Sequence, residues 1–194
     1  MQANILWEST LYSSLENCLI KTFPTHIEIE SSLTGSYHDK SYHADYNIIT
    51  NKDWETVSLE LKFQSEDILK TYKLEKNDSG SWLLNNEARE DFLDCIDIDI
   101  AITPFTNTLP VKRLQMEIAV QEKIKVIYFD LLDNEIKMVE QKYTRLSESL
   151  YHYENVPNDF EADIVVDEFG LVTEYPGLFS RKEFFLSRYK KEVA

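Results

Sequence analysis

The sequence predicts a mainly β protein: an antiparallel β-roll or incomplete barrel with one or two short helices. Three observations carry this. Apolar residues recur at every second position in several segments, short polar turns separate those segments, and no amphipathic helices alternate with them. Connections this short join antiparallel neighbours, whereas parallel strands need crossovers of about a dozen residues or more. A doubly wound α/β fold is therefore rejected.

A first strand is expected near 11–21, and His26-Ile27-Glu28-Ile29-Glu30 alternates briefly after it. Another is expected near 42–49. In Val57-Ser58-Leu59-Glu60-Leu61-Lys62-Phe63 every odd position is apolar and every even one polar. Such a pattern lies on one side of a strand but would scatter around a helix. A strand near 69–76 precedes the turn Asn77-Asp78-Ser79-Gly80, and residues 86–93 suit a short helix. In Cys95-Ile96-Asp97-Ile98-Asp99-Ile100 the isoleucines take one face and the aspartates the other, with Ile102 extending the apolar face. Strands near 123–132, 136–145 and 149–155 follow, the first two parted by Asp133-Asn134. Phe160-Glu161-Ala162-Asp163-Ile164, continued by Val166, alternates between the turns Pro157-Asn158-Asp159 and Asp167-Glu168-Phe169-Gly170. At the C-terminus, Ser180 and Glu183 have capping-box spacing, and Phe185, Tyr189 and Val193 recur every four residues, which predicts a helix over about 180–193. No repeat or linker interrupts the chain, so residues 1–194 are read as one domain. So many consecutive strands need closure or a second layer over their apolar face.

Composition narrows the function. A formal charge of −15 repels phosphate backbones, which argues against a nucleic-acid binder. Residues 181–194 carry +3 and the remainder −18. Cys18 and Cys95 lie far apart without a CxxC pair, as expected of reduced thiols in a cytoplasmic protein. The N-terminus lacks a basic stretch, and Glu8 stops its apolar run, so no signal peptide is read. No run approaches the roughly 18 apolar residues of a transmembrane helix.

The most distinctive segment is Cys95 to Leu114, CIDIDIAITPFTNTLPVKRL. Asp97 and Asp99 project from one strand face, followed by Thr103, Thr106, Asn107 and Thr108. Pro104 and Pro110 break regular pairing, which places this polar cluster on an irregular link, and Arg113 follows closely enough to pair with a carboxylate. Hydroxyl and amide groups of this kind suit a sugar or polar headgroup, or equally their own backbone in an awkward turn. Asp97-Ile98-Asp99 also matches the start of a phosphatase nucleophile motif, which keeps a metal-assisted hydrolase as an alternative. The α/β alternation that would build such a site does not follow. His38 and His43 match no zinc spacing, and no GxSxG, HExxH or phosphate-binding glycine loop occurs, so no metal or cofactor is expected. Trp54 and Trp82 stand near strand starts after polar turns; they, with Tyr143, Tyr151, Tyr153 and Tyr175, either stack on a ligand or plug the roll.

CIDIDIAITPFTNTLPVKRL resembles the signature of the bacterial glycolipid-binding family, in which a similar DxDxxxTPxTNTLPxRR segment follows a Trp-containing turn, here Gly80-Ser81-Trp82. Matching segments are Tyr46 to Phe63, Gln141-Lys142-Tyr143, and Phe160 to Phe179 with Asp167, Gly170-Leu171-Val172 and Tyr175-Pro176-Gly177-Leu178-Phe179. The likeness covers roughly residues 10–180. Lys112 stands where the family usually has Arg. The resemblance implies a spiral β-roll, similar in shape to bacterial lipoprotein carriers, with a cavity for a lipid or glycolipid. On this reading Leu59, Leu61, Ile98 and Ile100 would line the cavity. Asp97, Asp99, Thr106, Asn107 and Arg113, with Trp54, Trp82, Tyr143 and Tyr175, would meet the polar end of a ligand. A protein-interaction module using an exposed strand or the basic tail is the remaining alternative.

Overall fold

A computed structural model of the chain describes residues 2–187. In chain order the elements are β1 (Gln2–Ser9), β2 (Ser14–Thr22), β3 (His26–Tyr37), β4 (Lys40–Asn51), β5 (Thr56–Ser65), β6 (Ile68–Lys76), β7 (Trp82–Leu84) and β8 (Glu87–Ala88), then β9 (Asp97–Ile100) and α1 (Thr108–Leu114), and finally β10 (Gln121–Asp130), β11 (Glu135–Arg145), β12 (Leu150–Val156), β13 (Glu161–Val166), β14 (Val172–Tyr175) and β15 (Phe179–Ser187). All the strands belong to one 15-stranded sheet. The order runs from β8 step by step to β1, crosses to β15, and returns step by step to β9. Every neighbouring pair is antiparallel except β9 and β10. That parallel pair is joined by residues 101–120, the one long crossover, and α1 lies in it.

β8 and β9 occupy opposite edges of the sheet, yet only residues 89–96 separate them. A link of that length spans at most about 30 Å, so the sheet has to curl until its edges approach. Trp82 stitches them: its indole Nε1 donates to the carbonyl of Cys95 at 2.9 Å. The result is an incomplete antiparallel roll whose β9 edge is tucked inside. Ile98 and Ile100 face one core, Asp97 is fully buried on the other side, and such two-sided burial is what a parallel strand requires.

The first core packs Ile5, Ile29, Ile48, Leu59 and Leu74 of the β1–β6 wall against Ile98, Ile100 and Phe129. A second core, with Val126, Tyr143, Tyr153, Ile164, Val172, Tyr175 and Phe179, fills the curve of β10–β15. Between them runs Ile102 to Val111, in which every residue is buried. This segment is a plug. Phe105 and Leu109 have no exposed surface and join the first core, and Val111 joins the second. Burying each such side chain contributes about 1.5–3 kcal/mol. The interior lined by Leu59, Leu61, Ile98 and Ile100 is therefore occupied by the chain itself.

The expected irregular link is instead helical. Pro104 leads into a 3₁₀ turn at Phe105–Asn107 that runs on into α1. Pro110 is tolerated because first-turn amides have no intrahelical acceptor to lose, and Gln115 ends the helix in the left-handed region at φ 45°. The helix expected over 86–93 is corrected as well. Asn85 and Asn86 take φ of 51° and 67°, the pair of positive values that a two-residue hairpin turn needs, and so join β7 to β8. Only a 3₁₀ turn at Glu90–Phe92 follows. The C-terminal helix is corrected over 180–187, where the chain is β15. A spacing of four also keeps residues on one strand face, and pairing from Gln2↔Ser187 to Ser9↔Phe179 covers the free edge of β1. The rest of that expected helix lies outside the described residues. Among the described residues no helix is long and apolar enough to cross a membrane.

Candidate functional site

Strand β9 places Asp97 and Asp99 on one face, but the plug gives them different neighbours. Asp97 meets Arg113 of α1, whose Nε donates to both carboxylate oxygens at 3.1 and 3.2 Å while Nη2 donates at 2.6 Å. Burial pushes the Asp97 carboxyl up, and the guanidinium works against that shift. Asp99 is partly buried and meets only neutral donors. The Thr106 hydroxyl donates to one oxygen at 2.9 Å and Gln141 Nε2 to the other at 2.7 Å. Thr106 is itself fixed, since its hydroxyl accepts the Ile100 N–H at 3.2 Å. Loss of water pushes the Asp99 carboxyl above the usual range, with Thr106 and Gln141 opposing.

Asp99 opens into a cleft of about 760 Å³ between the plug and the inner face of the β10–β15 wall. Its walls are aromatic: Tyr12 from the β1–β2 turn, Tyr128, Tyr153, Phe160, Tyr175 and Phe179. All of these but Tyr128 form a continuous series of ring contacts. Tyr12 lies 5.7 Å from Phe179, Phe179 6.1 Å from Tyr175, Tyr175 6.3 Å from Tyr153, and Tyr153 6.0 Å from Phe160. Burial raises the phenols of Tyr12, Tyr128, Tyr153 and Tyr175, and the charge of Asp99 adds to the rise in each. Asp130, Glu135, Glu140 and Asp159 also line the cleft, against one cation, Lys137, whose Nζ is 2.6 Å from Glu135.

The residues singled out from sequence divide among several places. Asp99, Asn107 and Tyr175 line this cleft. Thr106 and Tyr143 stand behind it: Thr106 orients Asp99, and the Tyr143 hydroxyl donates to Asn107 Oδ1 at 2.8 Å. Asp97 and Arg113 form a buried pair that does not line the cleft. Trp82 is core, with Lys76 Nζ 4.7 Å from its ring centroid. Trp54 borders a separate cleft of about 700 Å³, where Lys112 Nζ lies 5.4 Å from its ring. Sequence reasoning missed Tyr12, Tyr128, Gln141, Phe160 and Phe179. Gln141 carried a readable signal: it is a polar residue in the same inward phase as Tyr143.

Chemically, the cleft offers aromatic faces, one carboxylate set by two hydrogen bonds, and amide groups from Asn107 and Gln141. A metal bridging Asp97 and Asp99 would have to displace the Arg113 fork. Among the described residues, His152, Glu154 and Glu161 have ligand atoms within 4.8 Å of one another. They do not line the cleft, and His152 Nδ1 is hydrogen-bonded to Asp163 at 2.8 Å.

Fold and site together define an open, single-sheet β-roll with an internal plug and one aromatic cleft beside it. The family model described as "Putative glycolipid-binding" matches residues 4–181, and the chain belongs to that family. It is also similar to the crystal structure of a DUF1089 family protein from Pseudomonas aeruginosa, with 33% identity, a TM-score of 0.76, and coverage of 88% of this chain and 92% of that one. No curated protein sequence matches the chain.

Proposed function

We propose that the protein is a non-catalytic binder of a glycolipid-like ligand and that the sugar headgroup sits in the aromatic cleft against Asp99. One observation carries this reading: the family's signature segment delivers a single oriented carboxylate to the floor of a cleft walled by tyrosines. Sugar rings present apolar C–H faces that stack on aromatic rings and hydroxyl edges that hydrogen-bond to carboxylate and amide groups. Two ring contacts at about 1 kcal/mol each and two hydrogen bonds to Asp99 at about 1.5–3 kcal/mol each sum to about 5–8 kcal/mol, so against association costs of about 4 kcal/mol or more a headgroup alone binds no tighter than millimolar, about −4 kcal/mol. Each buried methylene of an attached chain would add about 0.8 kcal/mol. Because Phe105 and Leu109 fill the first core, the chain would leave over the rim, where Leu11 and Phe160 are exposed at 47% and 38%. The free buried thiols Cys18 and Cys95 suit a reducing compartment, the cytoplasm.

Calorimetric titration with octyl glucoside below its micellar concentration tests the reading, alongside native mass spectrometry of purified protein. Saturable binding that weakens with Asp99→Asn supports it. An empty protein that ignores octyl glucoside and a panel of lipids and glycolipids overturns it.

A further inference from the structure

Asp97 and Asp99 make a comparison within one strand. Among the described residues a cation, the Arg113 fork, meets the first and none meets the second. Among the described residues no Lys, Arg or His pairs with Asp99, which accepts only from Thr106 and Gln141. A carboxylate withdrawn from water without counter-charge is costly, and a ligand that supplies the charge relieves that cost. The surroundings point the same way. Tyr12, Tyr128, Tyr153 and Tyr175 ring the position, and aromatic faces attract cations. The rim is acidic through Asp130 and Asp159; its lysine, Lys137, is engaged by Glu135, and Glu140 is paired with Lys123 at 2.8 Å. A phosphate, sulfate or carboxylate headgroup seated against Asp99 would be repelled by that carboxylate and by Asp130 and Asp159 at the rim.

We infer that the cleft selects a headgroup carrying an ammonium group, seated against Asp99 among the four tyrosines. This rests on the cleft being the headgroup site and adds the chemical class of what it takes. The shared chemistry is the ammonium, which an amino sugar or a trimethylammonium headgroup could each present.

The test compares octyl glucoside with its 2-amino-2-deoxy counterpart near pH 6, below the amine's pKa. A second pair distinguishes the source: choline against its neutral carbon isostere 3,3-dimethylbutanol. All four are titrated into the wild-type protein and into Asp99→Asn, whose fold is checked by circular dichroism. The expected result is about tenfold or greater preference for the cation within at least one pair, falling to within about twofold in the variant. Preference in the first pair alone identifies an amino sugar, and in the second alone a quaternary ammonium. The wild-type ratios decide the matter even if the variant does not fold. Equal affinities within both pairs, or a preference unchanged in a folded variant, overturn the inference while leaving the sugar cleft standing. No binding of any of the four sinks both.

Discussion

Arg113, near the end of α1, reaches back over the plug to grip Asp97 with both Nε and Nη2, and Asp97 has no exposed surface. The pair ties the helix to the tucked edge strand. Breaking it from one side strands a buried charge, which costs about 3–5 kcal/mol. Arg113→Met should lower stability by that amount in urea denaturation, and adding Asp97→Asn should restore most of it. Arg113→Lys should fall between, because a single ammonium cannot reproduce the fork. A single-variant loss below about 1 kcal/mol would show that the pair is not what holds the plug.

Asp99 gives a pH signature of opposite sign to an ordinary ion-paired aspartate. Its folded-state pKa is raised by burial, so the folded protein holds that proton more tightly than the unfolded chain does. The group's contribution to stability is full below the unfolded value of about 3.9 and is lost as pH rises through the folded value. Asp99→Asn removes this dependence. The variant should therefore gain stability relative to wild type as pH rises above about 4, until the folded-state value of Asp99 is passed. Glu16 and Asp97 are also raised by burial, but they are common to both proteins and largely cancel in the difference, as do the high-lying phenols of Tyr12, Tyr128, Tyr153 and Tyr175. Thermal melts of both proteins across that range provide the check; a constant difference would mean that Asp99 is well solvated.

Glu16 bolts the β1–β6 wall to the plug. Its Oε1 accepts from Tyr46 at 2.6 Å, Ser31 at 2.7 Å and Thr103 of the plug at 2.9 Å, while Oε2 is buried without a partner. Glu16→Ala leaves three hydroxyls without their acceptor and should cost about 3 kcal/mol or more. Glu16→Gln keeps an oxygen for those donors and removes a buried ionisable group, so near neutral pH its cost should stay below about 1 kcal/mol. Equal losses in the two variants would show that the hydroxyl cluster contributes little.

The legible parts of the fold are those with one wet face. β5 alternates cleanly from Leu59 on because Glu60 and Lys62 meet solvent while Leu59, Leu61 and Phe63 meet the core; Val57, in the inward phase by sequence, is exposed beside the register shift at Ile49/Thr50. β1 is hard to recognise in the sequence because Leu6, on its outer side, falls between the inward Ile5 and Trp7 and blurs the period. α1 was unreadable for the opposite reason: its first four residues, Thr108 to Val111, are all buried, so the usual polar stripe of a surface helix is missing. In the site, the segment was visible but the roles were not. Asp97 and Asp99 have the same phase, and only the tertiary position of Arg113 makes one of them structural and leaves the other facing a cleft.

Phe160 and Trp54 border different clefts. Phe160 sits exposed on the rim of the cleft containing Asp99, 6.0 Å from Tyr153 and 6.2 Å from Tyr175. Losing one stacking surface is worth about 1 kcal/mol, so Phe160→Ala should weaken octyl glucoside binding roughly fivefold while stability falls by about 1–2 kcal/mol for its two lost ring contacts. Trp54 holds φ 66° over the other cleft, beside Lys112. Trp54→Phe should leave octyl glucoside affinity unchanged, because the ring does not reach the Asp99 cleft. Calorimetry on the two variants decides between the clefts: unchanged binding in Phe160→Ala with lost binding in Trp54→Phe would move the headgroup to the Lys112 side and leave the Asp99 carboxylate without a ligand.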